Sequence, residues 1–162
     1  MTDRARTWVV PALGLALTCA LAVVPLPRVI SPFRPDWVAV VLLYWSLTAP
    51  RRFSLLTAFW MGIVLDTLSG SLLGQHALAL LVIVYLAEHF HLRIRVFPLS
   101  QLGLTVLALL ALYEFVLFWV DGVVVRHVPL IERWGPPLTG TLVWLALLAV
   151  FDSGRREAHA RF

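Results

Sequence analysis

A chain of 162 residues that is 60% hydrophobic and only 14% charged lies outside the range of an ordinary soluble domain, which is nearer half apolar and a quarter charged. Its mean hydropathy of +0.89 and its length suit one membrane-embedded helical bundle rather than two soluble domains. The net charge of +4 does not point to nucleic acid: all 13 basic residues are arginine, and they are scattered through short loops and the termini, where they can set membrane orientation.

Six apolar segments follow in chain order, at about residues 8–26, 36–49, 53–68, 75–90, 99–120 and 137–151. The first has basic residues before it, as a signal peptide does, but it is long and no clear small-x-small cleavage site follows, so it reads as a retained helix. It holds the single cysteine, Cys19, which has no intramolecular disulfide partner and reads as a small core residue. The second segment is short and is bracketed by Pro35 and Pro50. A full span takes roughly 20 residues, so several segments must borrow flanking residues, thin the bilayer or be shielded by neighbours.

With six spans, Arg4, Arg6, Arg51, Arg52, Arg93, Arg95, Arg155, Arg156 and Arg161 fall on one side. Only Arg28, Arg34, Arg126 and Arg133 fall on the other. The richer side is expected to be cytoplasmic, which puts both termini in the cytoplasm of a multi-pass inner-membrane protein. The expected unit is thus a single membrane domain over 1–162, all-α, a six-transmembrane-helix bundle. Trp8, Trp37 and Trp134 fall at expected interfaces; Trp45, Trp60, Trp119 and Trp144 fall deeper and read as packing or lipid contact.

Between the third and fourth segments runs "LDTLSGSLLGQHAL", residues 65–78, an unusual gathering of polar groups. Charge at membrane depth is costly and usually faces protein or water. Asp66, Glu88 and Glu114 are the residues concerned. Asp66 lies about 20 Å past the inner surface and Glu114 at a similar depth, so both fall in the outer third of the membrane. His76 opens the fourth segment there, and a shared layer with Asp66 and Glu114 is expected, with Asp36 and Asp121 above it. Glu88 sits toward the inner side, beside His89, His91, Arg93 and Arg95.

Ala58, Gly62 and Asp66 recur every fourth residue, a small-residue stripe that lets helices approach closely in lipid, and it continues toward Ser69 and Gly70. Gly103, Leu107, Ala111 and Glu114 make a comparable face on the fifth segment. A metal site is disfavoured, since there is no HExxH, no paired ligand spacing and no cysteine cluster. A serine hydrolase is disfavoured because "SGS" at 69–71 brings no visible base or oxyanion hole. The favoured reading is structural: Asp66 accepts backbone amides of the following turn, Gly70 and Gly74 supply backbone freedom, and Gln75 opens the next helix.

The stretch "RPDWVAVVLLYWSLTAPRRFSLLTAFWMGIVLDTLSGSLLGQHALAL", with "R-x-F-P" at 95–98, resembles the rod shape-determining MreD family. The long pattern G-x-x-x-D-x-L-S-G-S-L-L-G-Q-H-A-L at 62–78 carries most of that likeness. The resemblance implies a non-enzymatic scaffold of the machinery that builds the lateral cell wall, with no cofactor. It implies association with MreC, and a wider complex with MreB filaments, the glycosyltransferase RodA and a class B penicillin-binding protein. It also implies a fold similar to the substrate-binding components of energy-coupling-factor transporters, and so the alternative of a small-molecule or lipid-binding protein. Membrane lipids are expected partners, a homodimer is allowed by the small-residue faces, and nucleic acid is not expected. The residues expected to form the partner-binding or structural motif are Gly62, Asp66, Ser69, Gly70, Gly74, Gln75, His76 and Glu114; the 58–62–66 face can hold either an internal neighbour or a partner helix, and with the 69–76 turn it is expected to organise the outer end of the fold and the docking site for MreC.

Overall fold

Apolar sequence with few breakers leaves the backbone one economical way to satisfy its own hydrogen bonds, the helix. The computed structural model describes residues 14–15, 17–22, 27, 31–48, 55–94, 97–124 and 130–159, and no strand occurs among the described residues. Residues 14–15 and 17–22 are helical and form α1. A 3-10 turn, Ser31–Phe33, precedes α2, Trp37–Thr48. Then come α3, Leu55–Ser69, α4, Gln75–Ile94, α5, Leu99–Val124, and α6, Leu130–His159. The remainder of the expected first span, with Trp8, lies outside the described residues, as do Arg4, Arg6, Arg28, Arg51, Arg52, Arg95, Arg126 and Arg161.

Local chemistry sets the helix starts. The carbonyl of Asp36, just after Pro35, accepts from Val40 N at 2.9 Å and begins α2. Pro98 does the same for α5, its carbonyl accepting from Leu102 N at 2.9 Å. Three helices run further than expected. α4 continues past residue 90 through His91 and Arg93, because that charged turn still closes its backbone bonds. α5 passes residue 120 to take in Asp121. α6 begins at Leu130 rather than near 137 and carries Pro136 and Pro137 inside it. Prolines there cost backbone N–H donors. In the turn that follows, Thr139 Oγ1 donates to the carbonyls of Gly135 (3.3 Å) and Pro136 (3.1 Å), and Thr141 Oγ1 to that of Pro137 (2.7 Å), so these hydroxyls are satisfied within the helix itself.

The helices pack mainly with their sequence neighbours, α3 on α4, α4 on α5 and α5 on α6, and α2 inserts against α4, α5 and α6. α2 is apolar all round, which suits a helix buried on most sides. Ala39, Val40, Leu42 and Leu43 of α2 meet Leu80, Ile83 and Val84 of α4, Val106 and Leu110 of α5, and Trp144 of α6 in one core. Tyr44 and Trp144 meet edge to face with ring centroids 6.3 Å apart. The outer faces are apolar too: Leu56, Trp60, Tyr85, Leu104, Phe115, Trp119 and Leu142 are all exposed. Such a surface is unfavourable in water and ordinary in lipid. α4 and α5 are long and apolar enough to cross a membrane, while Trp37–Thr48, Leu55–Ser69 and Trp134–Val150 are shorter apolar helices. Over its described residues the chain is an all-helical membrane protein.

Candidate functional site

The α3–α4 hairpin is the most extensive helix pairing among the described residues, and glycine makes it possible. A Cβ added at Gly62 would lie 2.2 Å from the Cα of Ala77 and 2.5 Å from its nitrogen. The two backbones therefore touch where the small-residue stripe of α3 runs. Ala58, Gly62 and Asp66 are all buried, and α4 covers them. Of the two neighbours this face could have held, an internal helix or a partner's, α4 is the one that covers it at Gly62.

The turn that closes the hairpin follows from two glycines. Gly70 has φ 61° and Gly74 φ 96°, a region that side chains with a Cβ seldom adopt. Gly70 ends α3, and the next residue, Ser71, donates its backbone N–H to the carbonyl of Asp66 at 3.2 Å. That six-residue closure is the Schellman motif. Gly74 then serves as the N-cap of α4, its carbonyl accepting from Leu78 N at 2.8 Å. Glycine has no side chain with which to cap the free N–H groups of the first turn.

Asp66 supplies the missing cap from across the turn. Its Oδ2 accepts from Gly74 N at 2.7 Å. Its Oδ1 accepts from His76 N at 2.9 Å and from Ser71 Oγ at 2.8 Å. The Nδ1 of His76 lies 2.7 Å from the same Oδ1. An accepting carboxylate there requires a proton on Nδ1 of the ring. The residue is 1% exposed, so its oxygens satisfy these donors without competition from water. A carboxylate at the positive end of α4 also complements the helix dipole.

Serine, histidine and aspartate in mutual contact invite comparison with a catalytic triad, and the geometry differs in a decisive way. In a triad the two ring nitrogens face opposite partners, one the carboxylate and the other the hydroxyl. Here Ser71 Oγ lies 3.2 Å from the same Nδ1 that meets Asp66, and the serine proton is directed at the carboxylate. Nothing in this knot can pass a proton from hydroxyl to imidazole to carboxylate in line. Its chemistry is that of a fastening.

A second tie holds α5 to the start of α4. Gln75 Nε2 donates to Asp121 Oδ1 at 2.8 Å, and both residues are buried. Sequence reading set Asp121 in the loop above the layer, because the helix was expected to stop one residue earlier. Glu114 is buried on the same helix, and its neighbour Tyr113 holds its ring 6.4 Å from that of His76. Ser69 is exposed and takes no part in the knot; Ser71, not singled out from the sequence, does. The signal was present, since a hydroxyl five residues after a helix-ending carboxylate can return to it across a tight turn. Replacing Gln75 and Asp121 by alanine, singly and together, is expected to give a coupling of about 0.6 kcal/mol and at most ~1.7 kcal/mol, read from unfolding in detergent.

Beside the knot lies a cleft of ≈ 200 Å³ whose lining includes Arg34, Asp36, Trp37, Ser69 and His76. Arg34 donates from Nη2 to the carbonyl of Leu21 and so ties α1 to the segment before α2. Among the described residues no group of three or more His, Cys, Asp and Glu side chains stands where it could hold a metal ion.

The family model of the rod shape-determining protein MreD matches residues 2–151. A rod shape-determining protein MreD of Haemophilus influenzae is 30% identical over 134 residues, which cover 83% of this chain and 75% of that one. No solved structure matches the chain. The hairpin that the knot fastens holds the 62–78 pattern on which the sequence resemblance rested, and the match extends far beyond it: the chain belongs to the MreD family of rod shape-determining proteins.

Proposed function

We propose that this member of a rod-shape family works as a non-enzymatic, six-span scaffold of the inner membrane, both termini cytoplasmic, in a fold of the energy-coupling-factor component type. In this reading it binds MreC and, through the wider complex, helps couple MreB filaments to RodA, a class B penicillin-binding protein and lateral peptidoglycan synthesis. The observation that carries the reading is the use made of the polar residues at the hairpin end. Asp66, Ser71 and His76 spend their hydrogen bonds on one another and on the backbone, which fits a rigid surface better than a reaction centre. The rigid turn presents Leu72 and Leu73, 50% and 67% exposed, at its tip. Facing outward, that tip is the docking surface we assign to MreC, whose body is expected outside the membrane.

The test is a Leu72→Ser/Leu73→Ser double variant. Both side chains are exposed, so the unfolding temperature is expected to stay within the range of ordinary surface changes. Copurification with MreC from membranes is expected to fall by about tenfold, a loss typical of truncating interface anchors. Leu92→Ser, equally exposed at the other end of α4, is expected to leave it unchanged. Full copurification by the double variant sinks the assignment. The second reading, a small-molecule-binding protein, is favoured by the cleft of Arg34, Asp36 and His76, and a small molecule retained by the purified protein and lost on Arg34→Ala would support it.

A further inference from the structure

At the opposite end of the bundle from the Asp66 knot, α4 and α5 part to leave a groove of ≈ 440 Å³. Its walls are Leu86, Phe90 and Ile94 on α4 and Leu109 and Leu112 on α5. Phe97, whose N donates to the Ile94 carbonyl at 3.1 Å, also joins the lining. Among the described residues the one ionised group in the lining is Arg93, in the last turn of α4. The hydroxyl in it, that of Thr105, already donates to the Gln101 carbonyl at 2.8 Å.

We infer that this groove is a binding site for an anionic phospholipid, with an acyl chain along Leu86, Phe90, Ile94 and Leu109 and the phosphate at Arg93. The inference rests on the proposed orientation, in which the α4–α5 turn faces the cytoplasmic leaflet. Three features select this occupant over a partner helix. The groove's lining spans residues 86–94 of α4 and 105–112 of α5, roughly 12 Å of each helix, whereas a helix that crosses the bilayer needs a channel along ~30 Å. Large apolar side chains, Leu86, Phe90, Ile94, Phe97, Leu109 and Leu112, outnumber the small Thr105 and Ala108 in the lining, unlike the small-residue stripes over which helices approach in lipid. A guanidinium beside an apolar groove also needs an anion, which a phosphate supplies with matching two-pronged geometry and an apolar helix does not. Basic pockets between helices at the cytoplasmic end are where anionic headgroups are held.

The experiment is native mass spectrometry of the full chain released from nanodiscs of phosphatidylglycerol and phosphatidylcholine in equal amounts. Wild type is expected to retain one phosphatidylglycerol in preference to phosphatidylcholine. Arg93→Gln is expected to lower that preference by about fivefold, the effect of one arginine near the surface. Ala108→Phe, which fills the groove from α5 and keeps the charge, is expected to lower retention of both lipids. Arg93 and Ala108 are exposed, and unchanged unfolding in detergent verifies that both variants fold. The inference is overturned if Arg93→Gln keeps the wild-type preference for phosphatidylglycerol, or if Ala108→Phe retains both lipids as wild type does. Because the Leu72/Leu73 test reads MreC and this one reads lipid at the other end of the molecule, the two proposals fail separately.

Discussion

Gly62→Leu is expected to disrupt the α3–α4 hairpin, and Gly62→Ala to weaken it by ~3 kcal/mol or more. Overpacking a core usually costs ~1–3 kcal/mol, because side chains shift to make room. At Gly62 there is no side chain to shift. The atoms 2.2 and 2.5 Å from an added Cβ belong to the backbone of Ala77, so two helices must separate along their length. Separation also breaks the contacts one turn further on, since Asp66 follows Gly62 on the same face and bonds Gly74 and His76. Thermal unfolding in detergent, followed by loss of the monodisperse species, measures the effect. Gly122→Ala is the control: nothing lies within 4 Å of a Cβ there, so the change should be neutral or stabilise by about 0.5 kcal/mol through helix propensity. A Gly62→Ala protein that unfolds at the wild-type temperature would show that the backbones do not touch.

Asp66→Ala is expected to cost about 3–5 kcal/mol, the range for breaking one side of a buried charged network. The loss falls on the donors left behind. The N–H groups of Gly74 and His76 and the hydroxyl of Ser71 all point at the removed carboxylate. Each buried donor without an acceptor costs ~1–3 kcal/mol, partly recovered where the turn opens to water. Asp66→Asn keeps the volume and one acceptor oxygen. If that oxygen keeps the bonds of Oδ1, its NH2 group faces the Gly74 N–H, donor against donor, so a loss of about half the alanine value is expected. Ser71→Ala removes only one donor and is expected to cost ~1 kcal/mol. The same unfolding assay ranks the three. Equal stability of Asp66→Ala and wild type would refute the fastening role, and a fully stable Asp66→Ala that fails to bind MreC would reassign the carboxylate to the partner.

Much of this hairpin was legible in the residues because its causes are local. Two glycines around a short polar run announce a turn, whichever helices it joins. Ala58, Gly62 and Asp66 at four-residue spacing must share one face of any helix. What covers that face is not a local property. A small-residue stripe suits an internal neighbour and a foreign helix equally well, and only packing shows that Ala77 occupies it. Helix ends were less legible for a related reason. Pro136 and Pro137 normally stop a helix, yet α6 carries them, with threonine hydroxyls bonded to the carbonyls of that turn. Charged residues after position 90 looked like a loop, but the backbone of α4 continues beneath them.

Composition, the long 62–78 pattern and the turn glycines determined by themselves that this is a membrane protein of the MreD family with a fastened α3–α4 hairpin, because apolarity, helical period and positive φ act within a few residues. Only the tertiary structure decided that Gln75 meets Asp121, 46 residues away, that α4 rather than a partner fills the Gly62 stripe, and that Ser71 joins Asp66 and His76 in one knot. Those outcomes depend on which helix faces lie side by side, and the free energy of that choice is spread over the whole bundle.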